Sequence, residues 1–295
     1  MPSPTQPSQL PRRPAASEIP SSSSSSSRIP ALLMPYVASG PLTHDEGSLT
    51  VITWVQGASA NWLVLRYLYA LLGGGGGGRS VKEEDEAAEE GQQPGVVLVS
   101  FLRDQRFWGD GCAKLGMDLE VLGRSGRFGF VDGLTGSLGG EGGPATTTDG
   151  VKKRVDEAAA RLSPRRRRVL VVDALDALVA TTGISASEAE SLMMRLRENA
   201  YSTLLTLSAD EPLMRAAVRR HQQHQQEHGA ATGLEREQAA LVLGQAHAAN
   251  QVVSLRRLDT GAAADVSGVL RVGAAQELLY HVSGDGGVRV FERGA

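Results

Sequence analysis

Two short runs in this chain are apolar almost without interruption. Gly95 to Leu102 reads G-V-V-L-V-S-F-L, and Val169 to Val172 reads V-L-V-V before closing on Asp173. A strand with one wet face alternates apolar and polar residues, whereas a strand without alternation is covered on both faces. Leu49 to Val55, Arg127 to Val131 and Ser202 to Leu207 read as further strands. Segments at helical spacing lie between them. Asn61 to Leu72 carries Trp62, Leu65, Leu68, Tyr69 and Leu72; Asp104 to Leu122 carries Phe107, Trp108, Cys112 and Leu115. Val151 to Leu162 and Gln238 to Ala249 are two more helices. Ser185 and Glu188 form a capping box for a helix whose apolar side is Ala189, Leu192, Met193 and Leu196. This alternation predicts an α/β fold, a mostly parallel sheet with helices on both faces. Gln251 to Leu258, Ser267 to Val272, Leu278 to His281 and Val288 to Phe291 follow without helices. They predict a C-terminal antiparallel extension, with a hairpin around Ser283 to Gly287.

The 295 residues suit one large domain or two small ones. The pattern favours a single domain over 31–295, preceded by a disordered tail at 1–30. That tail holds a serine run, several prolines and almost nothing apolar, so burial cannot offset its ordering entropy. Low-complexity insertions lie at 73–93, 139–150 and 221–233. The first is six glycines followed by Glu83, Glu84, Asp85, Glu86, Glu89 and Glu90. These read as loops inserted in the fold, because the structured segments on either side complement each other. Net charge is −3, so no global basic field draws in nucleic acid, and any RNA contact needs a local patch. A single cysteine, Cys112, excludes a disulfide framework and paired-cysteine zinc sites. No run of eighteen apolar residues occurs, and no membrane partner is expected.

In such a sheet, ligands sit beyond the carboxyl ends of the strands. The first βα turn is Gln56-Gly57-Ala58-Ser59-Ala60-Asn61-Trp62. A phosphate-cradling loop needs a second glycine, a lysine and a hydroxyl at fixed places, and all three are missing. The chain has only four lysines (Lys82, Lys114, Lys152 and Lys153), and none follows a strand in a suitable loop. The dinucleotide-binding glycine pattern is absent as well. Asp173, closing an apolar strand, resembles the metal-orienting acid of phosphate-loop ATPases, but many buried strands end in Asp, and a residue capping the next segment is the favoured reading. No G-x-S-x-G occurs. His221, His224 and His228 could share a helical face, yet they stand among glutamines in low-complexity sequence. Cys112 reads as core and Asp132 as a turn residue. No catalytic residue, metal site or cofactor is expected.

Arg165 to Arg168 precedes a strand, which puts it at the amino edge, away from the ligand side. Arg215, Arg219 and Arg220 follow the strand Ser202 to Leu207 and lie toward the carboxyl edge, where phosphate contacts are better placed. They are the nucleic-acid candidates.

Three motifs in order then carry a resemblance. Gly95 to Trp108 (G-V-V-L-V-S-F-L-R-D-Q-R-F-W), Lys114-Leu115-Gly116-Met117-Asp118-Leu119, and Arg127-Phe128-Gly129-Phe130-Val131-Asp132-Gly133-Leu134 together resemble the sixth subunit of the Elongator complex, in a fungal form. The resemblance spans roughly residues 31–295 and leaves the insertions unmatched. It implies a RecA-like fold lacking the phosphate-loop motif, and a non-catalytic subunit that is not an enzyme. It further implies a heterohexameric ring with the fourth and fifth Elongator subunits. That ring binds tRNA, works with the core Elongator complex and supports wobble-uridine modification in cytoplasm and nucleus. By the same resemblance, loops at Leu175 to Ile184 and Ala209 to Gly233 face the ring pore. The alternative reading is an active RecA-like ATPase with an atypical phosphate loop.

Overall fold

The computed structural model describes residues 28–73, 93–133, 135, 144–218, 232–258, 265–273 and 276–293. Nine strands form one sheet: β1 (Ser48–Trp54), β2 (Gly95–Ser100), β3 (Phe128–Asp132), β4 (Arg168–Asp173), β5 (Ser202–Ser208), β6 (Gln251–Arg256), β7 (Gly268–Val272), β8 (Gln276–Val282) and β9 (Val288–Glu292). Their order is β3-β2-β4-β5-β1-β6-β7-β8-β9. The first six are mutually parallel, and β6 through β9 are antiparallel. Both halves of the expected fold are therefore present.

The side-chain period of two distributes the central strands between two cores. Val96 and Leu98 of β2, Val169 and Val171 of β4, and Leu204 of β5 enter one core. Their neighbours Val97, Val99, Leu170, Val172 and Leu205 enter the other. The first core is covered by α1 (Met34–Val37), α2 (Pro41–His44), α3 (Asn61–Leu72), α4 (Gln105–Lys114) and α5 (Leu119–Arg124). The antiparallel strands extend it through Leu270, Leu278, Tyr280 and Val288. The second is covered by α6 (Pro144–Ala160), α7 (Leu175–Thr182), α8 (Ala186–Arg197) and α10 (Gly233–Ala248), with Met214 of α9 (Glu211–Val218) packed against it.

Several boundaries differ from the sequence reading, each for a local reason. The single helix expected over Asp104 to Leu122 is two. Gly116 takes a positive φ of 79° and ends the first, and Asp118 accepts from the N–H groups of Glu120 and Val121 to start the second. Pro144 to Gly150 is helical rather than part of a loop, the start of α6. The segment expected as a loop after β4 contains α7, and the one after β5 contains α9. The last long helix begins at Gly233, because Thr232 and Glu235 form a capping box that the glutamine-rich sequence around it obscured. The Ser185–Glu188 box is as expected. Within the expected tail, Pro30 is buried and Ile29 packs against the first core. Residues 74–92, 139–143 and 221–231 of the insertions lie outside the described residues. Among those described, no helix is long and apolar enough to cross a membrane.

Trp108, on α4, is the largest fully buried side chain and belongs to the first core, while its neighbour Phe107 is 37% exposed. Trp108→Ala is expected to lower the unfolding free energy by about 3–5 kcal/mol. Phe107→Ala should cost only about 1 kcal/mol. Urea unfolding followed by circular dichroism measures both.

Candidate functional site

The carboxyl ends of β1, β4 and β5 converge, with β5 between the other two. This is where an α/β sheet holds its ligand, so the first βα turn and Asp173 are the groups to inspect.

The turn is closed. Val55 and Ala58 form an antiparallel bridge, and the Ala58 N–H donates to the Val55 carbonyl at 2.8 Å. Gly57 has φ 87°, the left-handed geometry required at the third position of a type II turn. The Gln56 N–H donates to Asp210 Oδ1 at 2.8 Å, and the Asn61 N–H reaches Ser59 Oγ at 3.3 Å. Backbone donors that a phosphate would need thus already have protein acceptors, one of them a carboxylate. Asp210 is fixed in turn by Ser208 Oγ, which donates to Oδ2 at 3.0 Å. The aliphatic part of Arg257 lies over the turn: a Cβ added to Gly57 would stand 3.3 Å from Arg257 Cδ. Trp62, in the first turn of α3, is buried against Tyr280 with ring centroids 4.8 Å apart. It therefore packs the helix start into the first core. These residues do not fit a nucleoside triphosphate.

Asp173 is 3% exposed and bonded to both neighbouring parts of the sheet. Ser100 Oγ of β2 donates to Oδ2 at 2.8 Å, and Thr206 Oγ1 of β5 donates to Oδ1 at 3.0 Å. Thr206 Oγ1 also accepts the N–H of Ala174 at 2.8 Å, and Ser100 Oγ accepts that of Arg103 at 2.8 Å. The carboxylate is not a helix cap. It ties strands together, and the cap position of α7 falls to Ala174, the one described non-glycine residue with positive φ (55°). Burial pushes the Asp173 carboxyl above the usual range, against the two hydroxyls and the Arg103 charge.

Three residues on, in the first turn of α7, Asp176 was not singled out by the sequence. Burial raises its carboxyl to about 6, with the Asp173 charge adding to the effect; bonds from Ser208, its own backbone and Gln238 oppose it. Its Oδ1 is buried without a hydrogen-bond partner. Asp210 carries a weak sequence signal as an acid closely following a strand. Arg257 carries none.

The other expected residues fall as follows. Arg215 is on α9, exposed, and ion-paired with Glu211 one turn earlier. Arg219, Arg220, His221, His224 and His228 lie outside the described residues. Asp132 accepts from the N–H and hydroxyl of Thr135 at 2.9 and 2.7 Å, a turn residue as read. Cys112 is fully buried, and burial pushes its thiol up to about 12. Of the Arg165 to Arg168 run, Arg165 and Arg167 are exposed as expected, but Arg166 is buried and donates to the Gln93 carbonyl at 3.2 Å. Among the described residues, no group of three or more histidine, cysteine or acidic side chains could hold a metal ion.

No protein-family model matches the chain, and no curated protein sequence matches it. Solved structures do. A KaiC-like protein from the hyperthermophilic archaeon Pyrococcus horikoshii superposes with a TM-score of 0.52 at 15% identity, over 90% of this chain and 97% of that one. The fold is RecA-like.

A carboxyl raised by burial binds its proton more tightly in the folded state. Stability is therefore greatest below the unfolded-state value and falls as pH rises from about 4 through about 6, where Asp176 ionises. Asp176→Asn should flatten this slope, leaving the share that Asp173 contributes, and add about 3 kcal/mol at pH 7. Urea midpoints measured between pH 4 and 8 test the sign.

Proposed function

We propose that this chain is a non-catalytic RecA-like subunit that works by assembly, the sixth subunit of Elongator's accessory ring. The observation that carries the reading is the closed Val55–Ala58 turn. Its Gln56 N–H is committed to Asp210, and Arg257 lies across Gly57. A RecA-like sheet keeps its value as a rigid flank for neighbouring subunits when this turn is shut. The partners proposed are the fourth and fifth Elongator subunits and, through the ring, the core complex and tRNA, in cytoplasm and nucleus. The chain's part in wobble-uridine modification is then to hold tRNA for a catalytic subunit elsewhere.

The proposed RNA contacts remain Arg215, Arg219 and Arg220. Arg215 stands on the helix directly after β5, at the carboxyl edge. Its ion pair with Glu211 is exposed on both sides and so contributes little, and a phosphate can displace it.

Three measurements test this. Affinity purification with mass spectrometry is expected to recover the fourth and fifth Elongator subunits. Titration of the full chain with Mg–ATP is expected to show no saturable binding; micromolar affinity would replace this reading with that of an active ATPase. In the assembled ring, replacing Arg215, Arg219 and Arg220 by alanine should weaken tRNA binding and lower the salt slope by about 2–3. An unchanged slope removes these arginines from the interface.

A further inference from the structure

A second cluster, away from the carboxyl edge, has the chemistry of a binding site. Arg66, on α3, is only 3% exposed. Its Nη2 donates to the Gly286 carbonyl at 2.7 Å, and its Nε is buried without a hydrogen-bond partner. Burial disfavours its charge and pulls its pKa down. An arginine so buried ordinarily has a carboxylate partner, because desolvating an unpaired charge is costly. Among the described residues, Arg66 has none.

What Arg66 has is a cavity of about 200 Å³. Its wall includes two more cations, Arg28 and Lys114, and the β8–β9 hairpin turn Asp285-Gly286-Gly287. Neither Arg28 nor Lys114 enters an ion pair among the described residues. Arg28 is positioned by its contact with Tyr69, 5.5 Å over the ring, with Nη1 donating to the hydroxyl at 3.1 Å. The turn leaves room for Lys114. Gly286 has φ 87°, and a Cβ added there would stand 3.4 Å from Lys114 Cδ. The acid in the wall, Asp285, is exposed and accepts the Gly287 N–H at 2.8 Å through Oδ1. Three cations against one carboxylate leave the cavity net positive.

We propose that this cavity binds a phosphate-type dianion. Two guanidinium groups and an ammonium offer charge-assisted donors from three directions, which suits a tetrahedral oxyanion better than a flat carboxylate. A doubly charged ion also balances the excess positive charge, which a single carboxylate does not. The donors come from the first described residues, α3 and the end of α4, and the wall from the last hairpin. The bound ion therefore joins four separate parts of the chain.

The test is calorimetric titration of the full chain with inorganic phosphate, with chloride and acetate at matched ionic strength as controls, and O-phosphoserine as a parallel probe. Saturable phosphate binding is expected, with acetate and chloride giving none. Lys114→Gln and Arg28→Gln alter exposed side chains, and each should weaken it about tenfold while circular dichroism stays unchanged. Asp285→Asn keeps the turn's hydrogen bond and removes the opposing charge, so it should tighten binding about threefold. Phosphoserine binding at least as tightly as phosphate identifies a phosphorylated side chain as the source; phosphate binding alone identifies the free ion. Affinity that is equal in all variants, or equal for acetate and phosphate, overturns the proposal.

Discussion

Coverage on both faces is the constraint from which the rest of this fold follows. β2, β4 and β5 carry apolar side chains to both sides of the sheet, so neither side can face water. Helices must then bridge successive strands and cover both faces, α1 to α5 on one and α6 to α10 on the other, and polar chemistry is driven to the strand ends. The carboxyl end of β4 shows what this demands. Asp173 lies at the rim of an apolar interior, and it is tolerated there because hydroxyls from β2 and β5 reach its two oxygens. Removing one hydroxyl leaves a buried carboxylate short of a partner, which is costlier than the bond alone.

That arrangement bears on what the scaffold does. An acid at the end of this strand is free to orient a cation only when its oxygens point into a cleft. Here both oxygens accept from hydroxyls on the two flanking strands. The first βα turn is likewise committed inward, with its N–H groups bonded to Val55, Asp210 and Ser59. Both halves of a nucleotide site are thus spent on internal bonds. The carboxylate of Asp210 also adds negative charge where a triphosphate would have to lie.

The mostly parallel sheet and the antiparallel extension were legible in the sequence because they rest on period and burial. Unbroken apolar runs mark central strands, and the late strands without helices mark the extension. The missing lysine and hydroxyl were legible for the same reason, since fixed spacing carries that chemistry. What stayed hidden was tertiary. Nothing in the sequence brings Asp210 to Gln56 across 154 positions, or aims the Ser100 and Thr206 hydroxyls at Asp173. The short helices α7 and α9 were missed because they sit where strand-following loops were expected. The cavity at Arg66 was hidden most completely, because its parts span from Arg28 to Val288.

The distribution of arginine explains why that cavity, rather than the denser run at Arg165 to Arg168, retains an appetite for an anion. Buried guanidinium groups here bond backbone carbonyls: Arg66 to Gly286, Arg127 to Leu72 and Arg166 to Gln93. A carbonyl satisfies a donor but cancels no charge. At the amino edge the surplus is real, since the Arg166 charge adds to burial in pulling the Arg127 pKa down. Arg165 and Arg167 are exposed there, however, and water and salt screen what they add. Arg66 itself is only 3% exposed, and screening of its charge is weaker. A cation buried in the cavity wall therefore produces a stronger local field than an exposed one along the edge. An ion entering the cavity replaces a desolvation cost that the fold already bears, which is the physical difference between a site and a charged surface.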